Sequence, residues 1–224
     1  MQMRDGSEVA DARLGRLIQF DERSRSFGIR GTVEDSKPRS YTWRCDTRLD
    51  QGPDGACVGF TMAHELAARP KVIPTTYAKG MSIYRAAQMI DPWPGEEYEG
   101  TSTLAGVKIL RSEGYIEEYR WAFGLTDLVL AVGFKGPVAV GTWWYEGMFD
   151  PGGCGYVHVS GEQAGGHCYL INGVSVTNRT FTIHNSWGAG WGDNGEALIS
   201  WDDMERLLHE DGEAVVPMVR AWGN

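Results

Sequence analysis

Cys57 stands at the end of a short turn sequence, DQGPDGACVGF at residues 50–60, directly before a run that reads as a helix. The first N–H groups of a helix have no partner within it, and the helix dipole is positive there. A thiol at this position therefore loses its proton more readily. Gly52, Pro53 and Gly55 are typical of the tight turn that such an entry needs. Without such neighbours, a lone cysteine is most often a small buried hydrophobic residue.

Gln51 lies six residues before Cys57, on the same turn. Its side-chain amide is a neutral donor that can point at the space above the sulfur. Together with the backbone N–H of Cys57, it would stabilise the oxyanion that forms when a thiolate attacks a carbonyl. Taken alone, Gln51 would be an ordinary surface amide.

A nucleophilic thiol also needs a base, and the chain has five histidines. His64 lies seven residues along the same predicted helix, about 10 Å away at ~1.5 Å per residue, which is too far to share a proton with the thiol. His209 belongs to a charged terminal helix, and His158 lies in a glycine-rich loop. The remaining candidates are His167 and His184.

Asn185 distinguishes between these two candidates. A base imidazole needs a third group that fixes its tautomer and tilt. His184 and Asn185 are adjacent in a predicted strand, so their side chains point to opposite faces. His167 begins a neighbouring strand and can face Asn185 across it, with the ring of Trp187 over that hydrogen bond. The pattern therefore favours a cysteine–histidine–asparagine site.

Three segments, DQGPDGACVGF, GGHCYLINGV and HNSWGAGWGDNG, resemble the signature blocks of the papain-family cysteine peptidases. The family's glutamine-to-cysteine spacing matches Gln51 and Cys57, and its histidine at the start of a strand matches His167. Its Asn-Ser-Trp-Gly block, followed by a second Trp-Gly, matches residues 185–192. The likeness spans roughly residues 41–200, and three blocks in the right order form a specific signal.

This resemblance implies that Cys57 is the nucleophile, His167 the general base and acid, Asn185 the orienting group and Gln51 an oxyanion-hole donor. The implied partner is a peptide or protein substrate, and the implied chemistry requires no metal or organic cofactor. Two other functions use the same residues. The chain can be a catalytically silent papain-like binding or structural module, or a transamidase or isopeptidase.

A further segment, EGTSTLAGVKILRSEGY at 99–115, resembles the glycine-bearing wall of the family's substrate groove and the helix after it. Gly100 is implied to bind extended substrate backbone, and Trp187 to line the leaving-group side. In a plain structural reading, Gly100 is a turn glycine and Trp187 a packing residue.

The sequence departs from the family pattern near the nucleophile. The aromatic residue that usually follows the cysteine is Val58, and the disulfide cysteine that usually precedes it is Asp54. His167 and Asn185 follow Cys57 by 110 and 128 residues, at or below the usual ~130–150. Because only fifty-six residues precede the nucleophile, the resemblance implies a compact bacterial or phage-like member without the long inhibitory prodomain.

The implied fold is α+β, a papain-like pair of lobes with the active-site cleft between them. A polar arm is expected at 1–40 and the peptidase domain at 41–224. In that domain, a helical left lobe covers about 50–135 and an antiparallel, β-barrel-like right lobe covers about 136–224.

Periodicity and capping residues predict the individual elements. A helix over 57–69 is stopped by Pro70, another covers 101–114 with Thr101 or Thr103 as its cap, and a last one follows Ser200, which pairs with Asp203. The other predicted elements are helices at 81–90 and 126–136, the latter capped by Thr126 or Asp127, and strands at 137–144, 167–176, 180–187 and 196–201.

Composition excludes several classes of protein. A net charge of −9 argues against nucleic-acid binding through phosphate contacts. The longest apolar run, LVLAVGF at 128–134, is far shorter than the ~20 residues that cross a membrane. With no signal peptide visible, the sequence predicts a cytoplasmic protein that does not enter membranes and whose four cysteines stay reduced.

Charge is distributed unevenly along the chain. Residues 1–48 hold ten basic and eight acidic residues, a balance of +2, whereas residues 49–224 hold eleven and twenty-two, a balance of −11. The slightly basic arm is therefore expected to lie on the acidic body. An acidic excess is usually a solvated surface, although it can also favour basic substrates.

Overall fold

A computed structural model describes residues 9–33, 36–93 and 99–218. Its helices are α1 (Cys57–Ala67), α2 (Tyr77–Gln88), α3 (Thr103–Ser112), α4 (Leu125–Phe134) and α5 (Trp201–His209). Its strands are β1 (Arg16–Leu17), β2 (Tyr41–Thr42), β3 (Thr101–Ser102), β4 (Glu118–Trp121), β5 (Val138–Tyr145), β6 (Gln163–Ser175), β7 (Thr180–His184), β8 (Glu196–Ser200) and β9 (Glu213–Met218). Helices precede most of the strands, which confirms the predicted α+β class.

The β lobe is one antiparallel sheet in the order β4-β9-β5-β6-β7-β8, with β2 pairing separately with β6. Among the described residues this sheet is open, so the expected barrel-like closure is not present. Strands β4 and β9 were missed by the sequence prediction, because both lie outside the glycine-punctuated run from 137 to 201. The central pair is β5 with β6, in register from Val138–Ile171 to Trp144–Gly165.

Helix α1 is the central element of the helical lobe and is buried along its whole length. It packs against α2 on one side and against β6 of the sheet on the other. The helix ends at Ala67, two residues before the predicted end, because Ala68 has an extended backbone (φ −84°, ψ 158°). One hydrophobic core lies beneath the sheet, and a second lies among α1, α2 and α3.

The start of α3 differs from the prediction. Ser102 caps it by accepting a hydrogen bond from the Ala105 N–H at 3.0 Å. Thr101 is not the cap, since its hydroxyl donates to Asp91 at 2.7 Å. Thr103 is already the first residue of the helix. A local capping rule cannot choose among three neighbouring hydroxyl residues when a distant carboxylate engages one of them.

Two other helix starts also differ. Helix α2 begins at Tyr77 with Thr76 as its cap, four residues earlier than predicted. Helix α4 begins at Leu125 after Gly124, whose φ of +94° favours glycine, and it has no side-chain cap. Asp127 instead accepts the Phe123 N–H. By contrast, the predicted capping of α5 is confirmed, since Ser200 accepts the Asp203 N–H at 3.0 Å.

The N-terminal segment 9–33 lies against both lobes. Strand β1 pairs in parallel with β3 and also contacts β6. Residues 1–8 and 34–35 of the predicted arm lie outside the described part of the chain, and the division at residue 40 stays a prediction. No helix in the described ranges combines the length and the apolar character needed to cross a bilayer.

His64 joins α1 to the β lobe and should make the fold sensitive to acid. It is buried, its Nε2 accepts the Leu49 N–H at 3.0 Å, and its ring lies 4.4 Å from that of His184. Burial, with the nearby charges of His184 and Arg48, lowers the pKa of His64 well below its ordinary value. The folded state therefore keeps His64 neutral, whereas the unfolded state takes up a proton below pH 6.5.

We expect the free energy of unfolding to fall as the pH drops below 6.5, by up to about 1.4 kcal/mol per pH unit from this residue alone. Urea unfolding at pH 7.5, 6.5 and 5.5 measures it. His64→Gln keeps an acceptor for the Leu49 N–H but has no titratable group, so it should flatten the dependence. The exposed His158 gives the control, His158→Gln. An unchanged slope in His64→Gln would contradict the assignment.

Candidate active site

Strands β6 and β7 bring His167 and Asn185 together. His167 lies on β6, Asn185 immediately follows the end of β7, and His167 Nε2 is 2.9 Å from Asn185 Oδ1. Both residues are buried. The rings of Trp144 and Trp187 each lie 4.8 Å from the imidazole, which keeps water from this hydrogen bond. Among the described residues, His167 Nδ1 has no hydrogen-bond partner, so it is the nitrogen available to exchange a proton.

Cys57 is the first residue of α1, as the sequence predicted. Its side chain packs against Val58 and Cys168, the residue directly after His167. The structure therefore places the thiol beside the strand that carries the imidazole. The sulfur is fully buried, and the backbone of Gly15 covers it with a hydrogen bond.

Gln51 is held firmly beside this site. Its Oε1 accepts the Ser186 hydroxyl at 2.7 Å, and its backbone N–H donates to the Ser186 carbonyl at 2.9 Å. Its amide nitrogen donates to the Asp54 carbonyl at 2.7 Å and to the Arg13 carbonyl at 3.0 Å. The donor expected to face an oxyanion thus faces a carbonyl of the N-terminal segment.

Residues 11–17 run through the cleft between the two lobes, and we call them the cleft segment. Gly15 lies so close to Gly55 that a Cβ on it would be 1.9 Å from the Gly55 carbonyl oxygen. On the other wall, a Cβ on Gly166 would be 2.1 Å from the Arg16 carbonyl oxygen. Two glycines, one on the segment and one on β6, are therefore required for this close approach.

Trp187 and Gly100 lie along the cleft segment. The guanidinium of Arg13 stands 4.1 Å from the Trp187 ring. Gly100 has a φ of +87°, which favours glycine. The residue after it, Thr101, donates its N–H to the Gly15 carbonyl at 2.9 Å. The segment that the resemblance implies to be the wall of the substrate groove therefore hydrogen-bonds to extended backbone. In this structure, that backbone belongs to the cleft segment.

The cleft segment leaves the reactive groups uncharged. Burial raises the pKa of Cys57 to about 11, although backbone hydrogen bonds from Cys168, Gly15 and Val58 oppose this rise. Burial also lowers the pKa of His167 to about 4, against the hydrogen bond with Asn185. A thiol that keeps its proton is a poor nucleophile at neutral pH.

The other histidines lie away from the thiol. His184 is buried with both ring nitrogens engaged, 3.0 Å from Glu196 Oε1 and 3.0 Å from the Thr47 carbonyl. This arrangement supports its exclusion as the base. His158 is exposed, and His209 ends α5.

Known proteins support the resemblance. No protein-family model matches the chain. It is 30% identical over 116 residues to the cathepsin B-like cysteine proteinase 4 of Caenorhabditis elegans, a match that covers 46% of this chain and 35% of the relative. It is 40% identical over 50 residues to the cathepsin B of Dictyostelium discoideum, covering 21% of this chain and 16% of the relative. The chain thus spans about a third or less of the length of these relatives.

Solved structures match over nearly the whole chain. Xylellain, a cysteine protease from Xylella fastidiosa, superposes with a TM-score of 0.73 at 16% identity, covering 96% of this chain and 99% of xylellain. The procathepsin B S9 of Trypanosoma congolense superposes with a TM-score of 0.64 at 13% identity, covering 96% and 90%. The protein has the papain fold. The fold predicted from the three sequence blocks is confirmed.

Sequence reasoning missed the residues of this papain-like cleft that come from the two ends of the chain. Arg13, Gly15 and Arg16 belong to the arm, and Glu213 belongs to β9. Arg16 and Glu213 form a buried ion pair, with 3.2 Å between Arg16 Nε and Glu213 Oε1. The signal available in the sequence was the basic arm preceding an acidic body, which indicates contact but not the residues that make it.

Proposed function

We propose that the protein is a cysteine peptidase that hydrolyses peptide bonds through an acyl-enzyme on Cys57. The observation that carries the proposal is the buried hydrogen bond of 2.9 Å between His167 Nε2 and Asn185 Oδ1. It fixes the imidazole with Nδ1 free, and the next residue of the same strand, Cys168, packs against Cys57 at the start of α1. The same pairing has no evident use in a module that only binds peptides.

In the proposed mechanism, Cys57 gives its proton to His167 and the thiolate attacks the substrate carbonyl. The amide nitrogen of Gln51 and the backbone N–H of Cys57 hold the oxyanion. His167 then protonates the leaving amine, and an acyl-thioester remains on Cys57. Water deprotonated by His167 attacks this thioester and releases the acid and the thiol.

A substrate can enter only when the cleft segment moves away. The segment holds the Gln51 donor and covers the sulfur, as described above. A cavity of about 510 Å³ lies between residues 19–25, which continue the segment, and the body. We infer that the seated arm is a closed form and that turnover belongs to an open form.

Reaction with a thiol-directed epoxide tests the proposed nucleophile. The structure contains four free cysteines, of which Cys154 is exposed and the other three are buried. We expect the epoxide to label Cys57 in the open form and to abolish peptide cleavage, because it mimics the attacked centre. Mass spectrometry of the labelled peptides identifies the cysteine.

Two variants complete this experiment. Cys57→Ala should lose both labelling and cleavage, whereas Cys154→Ala, at an exposed thiol outside the cleft, should retain both. Labelling of Cys154 alone, with cleavage unaffected by Cys57→Ala, would contradict the proposal. Ligated products on adding amine acceptors would show that the acyl group passes to amines, as in a transamidase.

A further inference from the structure

His184 has hydrogen-bond partners that only an imidazolium can serve. Its side chain is 0% exposed, and its Nε2 lies 3.0 Å from the Thr47 carbonyl oxygen, which accepts and never donates. Its Nδ1 lies 3.0 Å from Glu196 Oε1. A neutral imidazole carries a single N–H, so its other nitrogen would turn a lone pair toward one of these oxygens. With Glu196 ionised, both nitrogens of His184 therefore carry protons.

The surroundings of Glu196 keep this carboxylate ionised. Its Oε1 also accepts the Asn172 side-chain amide at 2.9 Å and lies 3.3 Å from Arg48 Nη2. Burial by itself raises the pKa of Glu196. The hydrogen bonds from His184 and Asn172, together with the charges of His184 and Arg48, outweigh burial and leave the pKa below its ordinary value. His184 is thus a buried cation beside a paired anion.

The other groups packed against His184 fit this charge. His64 on α1 is neutral at Nε2, where it accepts a backbone N–H, and its ring lies 4.4 Å from that of His184 at 78°. The segment before α1 brings the guanidinium of Arg48 and the thiol of Cys45, and burial raises the pKa of that thiol to about 11. On β6, the residue in register with His184 is Leu170. The charge of His184 is therefore balanced by the carboxylate on β8.

The imidazolium holds the stretch of chain that carries the oxyanion donor, residues 47–51, which we call the Gln51 segment. The first carbonyl of this segment accepts the Nε2 proton of His184. Two residues later, the N–H of Leu49 donates to His64 at 3.0 Å. A charged histidine that donates and a neutral histidine that accepts thus fix the backbone leading to Gln51.

Asn185 is held independently of the His184 side chain. Its backbone N–H donates to the Gly195 carbonyl at 3.0 Å, and its Oδ1 accepts the Ser186 N–H at 2.8 Å. Loss of the cation should therefore displace the oxyanion donor while the hydrogen bond between His167 and Asn185 stays in place.

We propose that His184 is a positioning residue, which as a buried imidazolium holds the Gln51 segment so that the Gln51 amide reaches the oxyanion. Its effect on hydrolysis rests on the proposed peptidase function, whereas its charge and its hold on Gln51 do not. His184→Gln removes the charge and turns a carbonyl toward one of the two acceptors. His184→Lys keeps both the charge and the N–H donors.

The first test measures charge and position without catalysis, by nuclear magnetic resonance of the ¹⁵N-labelled full chain. At pH 7 both ring nitrogens of His184 should carry protons, and both signals should vanish in His184→Gln. The side-chain amide signals of Gln51, identified by their loss in Gln51→Ala, should shift in His184→Gln and return in His184→Lys. The control His158→Gln, at an exposed histidine, should leave them in place.

A titration of the unchanged chain gives the same information without any substitution. As the pH rises, the loss of one His184 ring proton and the shift of the Gln51 amide signals should follow one curve. A single protonated ring nitrogen at pH 7 would overturn the proposal. So would Gln51 signals that do not move when His184 loses its proton.

The second test measures kinetics in the full chain carrying Gly15→Ala, whose added methyl group keeps the cleft segment from seating. His184→Gln should lower kcat about 10- to 100-fold with KM nearly unchanged, because the displaced donor acts on the transition state. His184→Lys should restore most of the rate. Alkylation of Cys57 by iodoacetamide forms no oxyanion, so its rate should not change. In a double-mutant cycle with Gln51→Ala, the two losses should not add.

The two tests separate the possible failures. Additive losses, or an alkylation rate that falls together with kcat, would show that His184 does not act through Gln51 and would overturn the positioning role. If no peptide is cleaved while the ring protons and the coupled Gln51 shift are observed, the peptidase function fails and the hold of His184 on Gln51 stands.

Discussion

Full-length protein carrying Gly15→Ala should cleave peptides about 10- to 100-fold faster than the unchanged chain. The added methyl group would lie 1.9 Å from the Gly55 carbonyl oxygen, and neither backbone can yield without losing its contacts. The cleft segment would then lose two hydrogen bonds. One is accepted by the Gly15 carbonyl from the Thr101 N–H, and the other joins the Gly15 backbone to the Cys57 sulfur. Release also returns water to the thiol and imidazole, which removes the cause of their shifted pKa values.

Peptide hydrolysis at pH 7 and the rate of Cys57 alkylation both measure this opening, and both should rise together. The matched control is Gly31→Ala, the same substitution in the same arm, where a Cβ would meet nothing within 4 Å. Its rates should equal those of the unchanged chain. If Gly15→Ala leaves both rates unchanged while the protein stays folded, the arm does not close the cleft in solution.

The pairing of His167 with Asn185 was predictable because it depends on local rules. A strand alternates its side chains, so His184 and Asn185 point to opposite faces, and a neighbouring strand must supply the histidine that meets Asn185. The position of Cys57 followed equally from the turn before α1. Both inferences needed only the period of a strand and the start of a helix.

The contents of the cleft were not predictable in this way. Arg16 and Glu213 are 197 residues apart, and no periodicity links a polar arm to a short strand near the other end of the chain. Gly15 and Gly166 are single glycines in the sequence. Only the folded structure shows that the backbone of another segment packs directly against each of them. The charge imbalance predicted that the arm lies on the body, but it could not show that the arm runs between the two lobes and over Cys57.

His167→Gln, introduced into the Gly15→Ala protein, should lower kcat by about 10²- to 10⁴-fold. Glutamine keeps a polar group near Asn185 but has no nitrogen that can take a proton from Cys57 and return it to the leaving amine. The proposed mechanism assigns both transfers to the free Nδ1 of the imidazole, so the loss should appear in kcat rather than in KM. The matched control, His158→Gln in the same protein, changes an exposed histidine and should retain the full rate.

The pH dependence of alkylation separates a lost base from a distorted cleft. With His167 present and the arm displaced, the imidazole can hold the thiol proton, so Cys57 should react well below the ordinary thiol pKa of 9.0. In His167→Gln the rate should instead rise only as the pH approaches that value, because no partner stabilises the thiolate. A profile that does not move, with cleavage retained, would mean that another group accepts the proton and that the contact between His167 and Asn185 serves packing alone.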